Sequence, residues 1–175
     1  MTSRKRCLGI AIVVFAAVIV NSILIFRPPS IKQHPSDLYA EGEYQGKEGV
    51  LMQTRYNNCG PAALQMIFDH YNISSSLDEI DRSVRVAENG TTMLSLKQMA
   101  ELKGLHAEGW RLTLNDFMNI SFPLLLFVHN DHFVVADSIR NNMVFLRDPA
   151  IGKVRIATTD LPKIWGGEAL VFAKK

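Results

Sequence analysis

The chain has 175 residues, enough for one domain with a substantial core and too few for two comfortable ones. Its net charge is +2 and its basic residues are scattered apart from Arg4-Lys5-Arg6, so there is no nucleic-acid footprint and no nucleic-acid partner is expected. The two cysteines, Cys7 inside an apolar run and Cys59 beyond it, leave the remainder with a single thiol and exclude an internal disulfide framework.

Residues 1–6 read as a cytoplasmic tail. Residues 7–26, CLGIAIVVFAAVIVNSILIF, form about twenty uncharged residues, apolar on every face, which is the length a helix needs to cross a bilayer core. A cleaved signal peptide is the competing reading. The apolar region is long for one, and no A-x-A-like site precedes Arg27, so the run is read as an uncleaved transmembrane anchor. The charge bias of Arg4, Lys5 and Arg6 against Arg27 and Lys32 sets the N-terminus in the cytoplasm and the following domain on the periplasmic or extracellular side. Residues 27–49, rich in Pro, Gly and charge, are expected to be a linker, and residues 50–175 the folded domain.

Within that domain the spacing predicts a helix from about Cys59 to Tyr71, its core face made by Ala63, Met66, Ile67 and His70 and widened by Leu64 and Phe68. Ser76-Leu-Asp-Glu79 has the form of a capping box and opens a short second helix. A third runs from about Thr92 to Lys103 with Gly104 as its stop, and Thr113 to Asp116 can cap one further turn. His106 falls in a loop, and Trp110 and Trp165 are read as core residues. From Pro123 the character changes. PLLLFVH, HFVVADSI, MVFLRDP, KVRIA and EALVFAK are short β-rich runs separated by turn residues such as Asn130-Asp131, Asn141-Asn142 and Gly152, with a short helix expected over residues 158–165. Helices followed by strands without crossovers predict an α+β fold, in which N-terminal helices pack on a C-terminal antiparallel sheet and one transmembrane helix precedes both.

The chemistry centres on residues 53–68, QTRYNNCGPAALQMIF. Pro61 suits the first turn of a helix, so Cys59 stands at a helix N-terminus, where the dipole and unpaired amides favour the nucleophilic thiolate. A thiolate nucleophile works best with an imidazole, and the imidazole with a third group that fixes its tautomer. His129 and His132 are both available as the base. His132 opens the strand HFVVADSI and Asp148 closes MVFLRDP, so a hairpin through Asn141-Asn142 can bring the two together; Asp148-Pro149 can also be simply a turn. Gln53 can donate to a developing oxyanion beside the Cys59 N–H. No His, Cys and carboxylate spacing matches a zinc site and no glycine-rich phosphate loop is present, so no cofactor is expected.

The order Gln53, Cys59-Gly60-Pro61-Ala62, His132-Phe133-Val134-Val135, Asp148-Pro149-Ala150 with Gly152, and Trp165-x-Gly167 before a final strand resembles the papain-like bacteriocin-processing peptidases, which cut after double-glycine leader sequences. The resemblance extends over nearly all of residues 50–175. It implies a papain-like fold with Cys59 as nucleophile, His132 as general base and acid, Asp148 as orienting group and Gln53 in the oxyanion hole. The expected partner is a peptide or protein substrate, either an exported leader-bearing peptide or a component of an export or pilus system. In that family the peptidase domain usually precedes a transporter and works on the cytoplasmic side, whereas here it follows a single anchor. Two other function classes use the same residues: a non-catalytic peptide-binding module, and a papain-like amidase or acyl transferase.

Overall fold

In the computed structural model, residues 38–174 are described. The expected tail over residues 1–6, the anchor over residues 7–26 and the linker up to residue 37 lie outside them. Among the described residues no helix is long and apolar enough to cross a membrane.

Helix α1 spans Cys59–His70 and buries Ala63, Leu64, Met66, Ile67 and Phe68. Pro61 is its third residue, where the missing N–H costs no bond, and the Asn58 carbonyl accepts the Ala62 N–H at 3.1 Å. His70, expected on the core face, is exposed and meets the Tyr71 ring edge-on at 5.0 Å. In the last turn a polar ring is better served by solvent and the negative end of the helix dipole. Helix α2, Leu77–Val84, is capped by the Ser76 hydroxyl, which accepts the Glu79 N–H at 3.2 Å. Only half of a capping box forms, because the Glu79 carboxylate bonds to Ser75 and pairs with Lys103 instead of returning to the cap. Helix α3, Met93–Leu102, is capped by Thr92. Helix α4, Leu114–Asn119, carries the complete reciprocal box between Thr113 and Asp116.

Seven strands among the described residues form one sheet. They are β1 Glu43–Tyr44, β2 Leu105–Arg111, β3 Leu124–Val128, β4 His132–Arg140, β5 Met143–Asp148, β6 Gly152–Ala157 and β7 Trp165–Lys174. Their spatial order is β1-β6-β5-β4-β3-β7-β2 and every pairing is antiparallel. Asn141 and Asn142 both take positive φ, 50° and 58°, the two-residue turn whose twist matches flanking strands and which asparagine tolerates. In place of the helix expected over residues 158–165 there is a single 3-10 turn, Leu161–Lys163.

Three further expectations are corrected. The stretch 105–111 is a full edge strand, not a loop, so His106 lies in β2. Only Leu105 and Ala107 of that strand are buried, too few apolar positions to signal a strand. Trp110 is exposed on β2, unlike Trp165, which is buried against Phe117 with ring centroids 5.0 Å apart. The linker also ends earlier than residue 49: Leu38 and Tyr39 are core residues and β1 pairs with β6. Two buried apolar residues in a polar stretch suffice, because the sheet supplies the rest of the contact.

The sheet is packed on both faces, as alternation along β3 requires. Leu125 and Phe127 face the layer of α1, α2 and α3, while Leu124, Leu126 and Val128 face a second cluster with Phe117, Trp165 and Tyr39. Gly152, at φ +123°, fixes the turn between β5 and β6; an added Cβ there would lie 2.5 Å from the Gly46 carbonyl oxygen. Gly152→Ala therefore combines a left-handed backbone with a backbone clash. We expect a loss of roughly 2–4 kcal/mol, read as a lowered midpoint in urea unfolding with the slope unchanged.

Candidate active site

The turn after β5 builds the first half of the site. Val135 lies opposite Arg147, which sets Asp148 across from Val134 and makes His132 its diagonal neighbour on the same side of the sheet. His132 Nε2 and Asp148 Oδ1 are 2.8 Å apart, with the histidine 6% exposed and the aspartate fully buried. The Ala150 N–H donates to the same Oδ1 at 2.7 Å, closing the Asp148-Pro149 turn around the carboxylate. Oδ2 accepts the Tyr39 hydroxyl at 2.9 Å.

The second half is the N-terminus of α1. Cys59, its first residue, is buried and is the free cysteine among the described residues. Its sulfur is close enough to the His132 imidazole to raise the ring's proton affinity, and with Nε2 engaged by Asp148, Nδ1 is the nitrogen left for it. Burial alone pushes His132 down. The Asp148 charge and hydrogen bond, with those of Cys59, outweigh it and raise the imidazole from 6.5 to about 10. The imidazolium is thus the favoured form throughout the neutral range, poised between a carboxylate and a sulfur.

Gln53 lies beside the Asp148 turn. Its backbone N–H donates to the Pro149 carbonyl at 2.8 Å, which ties it to the Asp148 turn. One side-chain N–H donates to the Arg55 carbonyl at 2.9 Å, and a primary amide carries a second. The Cys59 backbone N–H belongs to the first turn of α1, where amides have no intrahelical acceptor. The His129 ring stands edge-on to Tyr39 with centroids 6.1 Å apart.

Two partners escape sequence reasoning. Asn58 is fully buried: its Oδ1 accepts the Thr54 and Arg55 N–H groups at 3.2 and 3.0 Å, and its Nδ2 donates to Asp81 at 3.2 Å. Arg55 pairs with the same Asp81 at 2.6 Å, so residues 54–58 are pinned to α2 and the spacing between Gln53 and Cys59 is held. An Asn immediately before a helix start is a capping signal, yet here its side chain makes no helix cap and serves the loop instead. Tyr39 lies 109 residues from Asp148, and no local pattern joins them. Among the described residues no group of three or more His, Cys, Asp or Glu could hold a metal ion.

A buried Asp–His–Cys relay with amides at a helix start is equipped for acyl transfer through a thioester. Residues 47–175 match the Peptidase C39 family. An uncharacterized protein of Methanothermobacter thermautotrophicus is 32% identical over 129 residues, which covers 74% of this chain and 91% of that protein. The Escherichia coli colicin V secretion/processing ATP-binding protein CvaB is 29% identical over 127 residues, 73% of this chain but only 18% of that protein. A solved double glycine motif protease from an AMS/PCAT transporter, in complex with the leader peptide, is similar with a TM-score of 0.70 and 27% identity over 72% of this chain and 91% of that one. With the α+β fold and nearly all of the described domain inside the match, the chain belongs to the peptidase C39 family.

Proposed function

We propose that this chain is a cysteine endopeptidase that cuts an exported, leader-bearing peptide after a Gly-Gly pair through an acyl-enzyme on Cys59. The observation that carries this is the His132 imidazole held between the Asp148 carboxylate at 2.8 Å and the Cys59 side chain. The Cys59 thiolate attacks the scissile carbonyl, and the oxyanion that develops is met by the Cys59 N–H and the second N–H of Gln53. His132 gives its Nδ1 proton to the departing amine, leaving a thioester. It then takes a proton from the water that hydrolyses the thioester, and the sulfur leaves as the thiolate, which restores the starting pair. Asp148 keeps the imidazole in this tautomer and orientation.

Substrate class rests on the family. The relatives include a transporter protein named for secretion and processing and a protease named for the double glycine motif. The membrane reading rests on the sequence: the apolar run over residues 7–26 anchors the chain, with the N-terminus cytoplasmic and residues 38–174 on the periplasmic or extracellular side.

With Gly-Gly leader peptides as substrate, Cys59→Ala should lower turnover by at least about 10⁴-fold and Gln53→Ala by about 10²–10³-fold. Unchanged cleavage by Cys59→Ala overturns the mechanism. Binding of the leader without cleavage by the wild type would instead make the chain a peptide-binding module.

The pH dependence follows from His132. Its value of about 10 lies above the ordinary 6.5, so the imidazolium and the stability it lends are fully present below about 6.5 and are lost as pH rises through about 10. The alkaline limb of the rate should therefore fall near 10. Asp148→Asn removes the charge that outweighs burial. It should shift that limb down by roughly two pH units and cut the rate by about 10³-fold or more.

Membrane anchoring has its own check. The full chain, expressed in a bacterium, should sediment with membranes and resist carbonate extraction, and protease added outside the inner membrane should digest residues 38–174. A protected or soluble domain overturns the orientation.

A further inference from the structure

Residues 38–46 precede the family match, which begins at residue 47, yet they are fastened to the turn that bears Asp148. β1 pairs with β6, the Gln45 N–H donates to the Lys153 carbonyl at 2.8 Å, and the Lys153 N–H donates to the Gly46 carbonyl at 2.7 Å. At the end of this strap nearest the site is Tyr39, 2% exposed, whose hydroxyl donates to Asp148 Oδ2 at 2.9 Å. The other carboxylate oxygen already accepts two donors, His132 Nε2–H and the Ala150 N–H. Among the described residues Tyr39 is the donor that Oδ2 has.

We propose that Tyr39 is a positioning residue of the active site, its hydroxyl holding the Asp148 carboxylate at the rotation that keeps Oδ1 on His132, so that the strap belongs to the catalytic machinery. This rests on the acyl-transfer reading of Cys59, His132 and Asp148. A phenylalanine would fill the same place in the core, so packing accounts for the ring but not for the hydroxyl. A buried hydroxyl without a partner is destabilising, and so is a buried carboxylate oxygen without a donor; each answers the other. Burial first, and then the Asp148 charge, pushes the phenol well above its ordinary range, so it remains a donor through the neutral range. Take the hydroxyl away, and Oδ2 is left in a closed site with no donor. The carboxylate then turns to find one and moves Oδ1 off the imidazole. His132 loses part of what opposes its burial, and it holds the proton from Cys59 less firmly.

The test needs no substrate. The full chain is alkylated with iodoacetamide across the pH range, and modification at Cys59 is followed separately from Cys7 by peptide mass spectrometry, in the wild type, Tyr39→Phe and Asp148→Asn. In Tyr39→Phe the Cys59 rate on the acid limb should fall about tenfold, with the protein folded and its thermal midpoint lowered by the carboxylate oxygen left without a donor. Asp148→Asn should lower that rate further. A wild-type profile in folded Tyr39→Phe, beside a displaced one in Asp148→Asn, overturns the proposal and leaves the acyl-transfer reading intact. Wild-type profiles in both variants overturn the two together. Should Tyr39→Phe fail to fold, proton NMR of the wild type decides: a slowly exchanging tyrosine hydroxyl proton that is lost in Asp148→Asn sustains the proposal, and its absence overturns it.

Discussion

A carboxylate sealed from water is the constraint on which the rest of this fold depends. Asp148 is fully buried, and a lone buried charge of that kind would be prohibitively costly. It survives because donors from three separate segments converge on it: the imidazole at the start of β4, the backbone N–H of Ala150 in its own turn, and the Tyr39 hydroxyl from the strap. Each donor demands a piece of architecture. The imidazole requires the β4–β5 register, the amide requires the tight turn into β6, and the phenol requires β1 to lie along β6. Removing any of these leaves an oxygen short of a partner in a place where water cannot make up the loss.

The same burial explains the direction of the histidine's proton affinity. Low dielectric by itself disfavours the imidazolium, and it is the largest single influence on His132. Low dielectric also strengthens attraction to the carboxylate on one side and to the sulfur on the other. With two opposite partners in contact, attraction wins and the ring stays protonated well past neutrality. A surface histidine beside one aspartate would gain far less, because solvent screens the pair. Burial of Asp148 and the raised proton affinity of His132 are therefore one arrangement seen from two ends.

Much of this was legible in the sequence because it is local. The helix opening at Cys59, the cap residues Ser76, Thr92 and Thr113, and the Asn141-Asn142 turn are each carried by a few adjacent residues whose preferences the fold respects. The pairing of His132 with Asp148 follows from the hairpin between them. What escaped was non-local or compensated by neighbours. β2 has two buried positions and is held as a strand by its full ladder with β7, so its own sequence says little. His70 and Trp110 follow the apolar pattern but emerge where the packed layers end. The strap looked like linker because a handful of residues, Leu38 and Tyr39 above all, supply its attachment. Asn58 kept the letter of a helix cap while its side chain tied the preceding loop to Asp81.

The two halves of the site come from different layers, and a single glycine governs how near they stand. Cys59 is carried by the helical layer and His132 by the sheet, and the helix meets β4 through Phe133, the neighbour of His132. A Cβ on Gly60 would lie 2.6 Å from Thr91 Cγ2 and 3.1 Å from both Leu96 Cδ1 and Phe133 Cδ2, so for a larger residue either these side chains give way or α1 moves off the strand. If the helix moves, the sulfur and the imidazole separate with it, since each sits one residue from the point of contact. The Cys-Gly-Pro triplet thus divides its work by position. The first residue supplies the sulfur, the second lets the helix reach the strand, and the third fits the first turn, where a missing N–H does no harm. The spacing that marks the motif is in this sense a packing requirement before it is a chemical one.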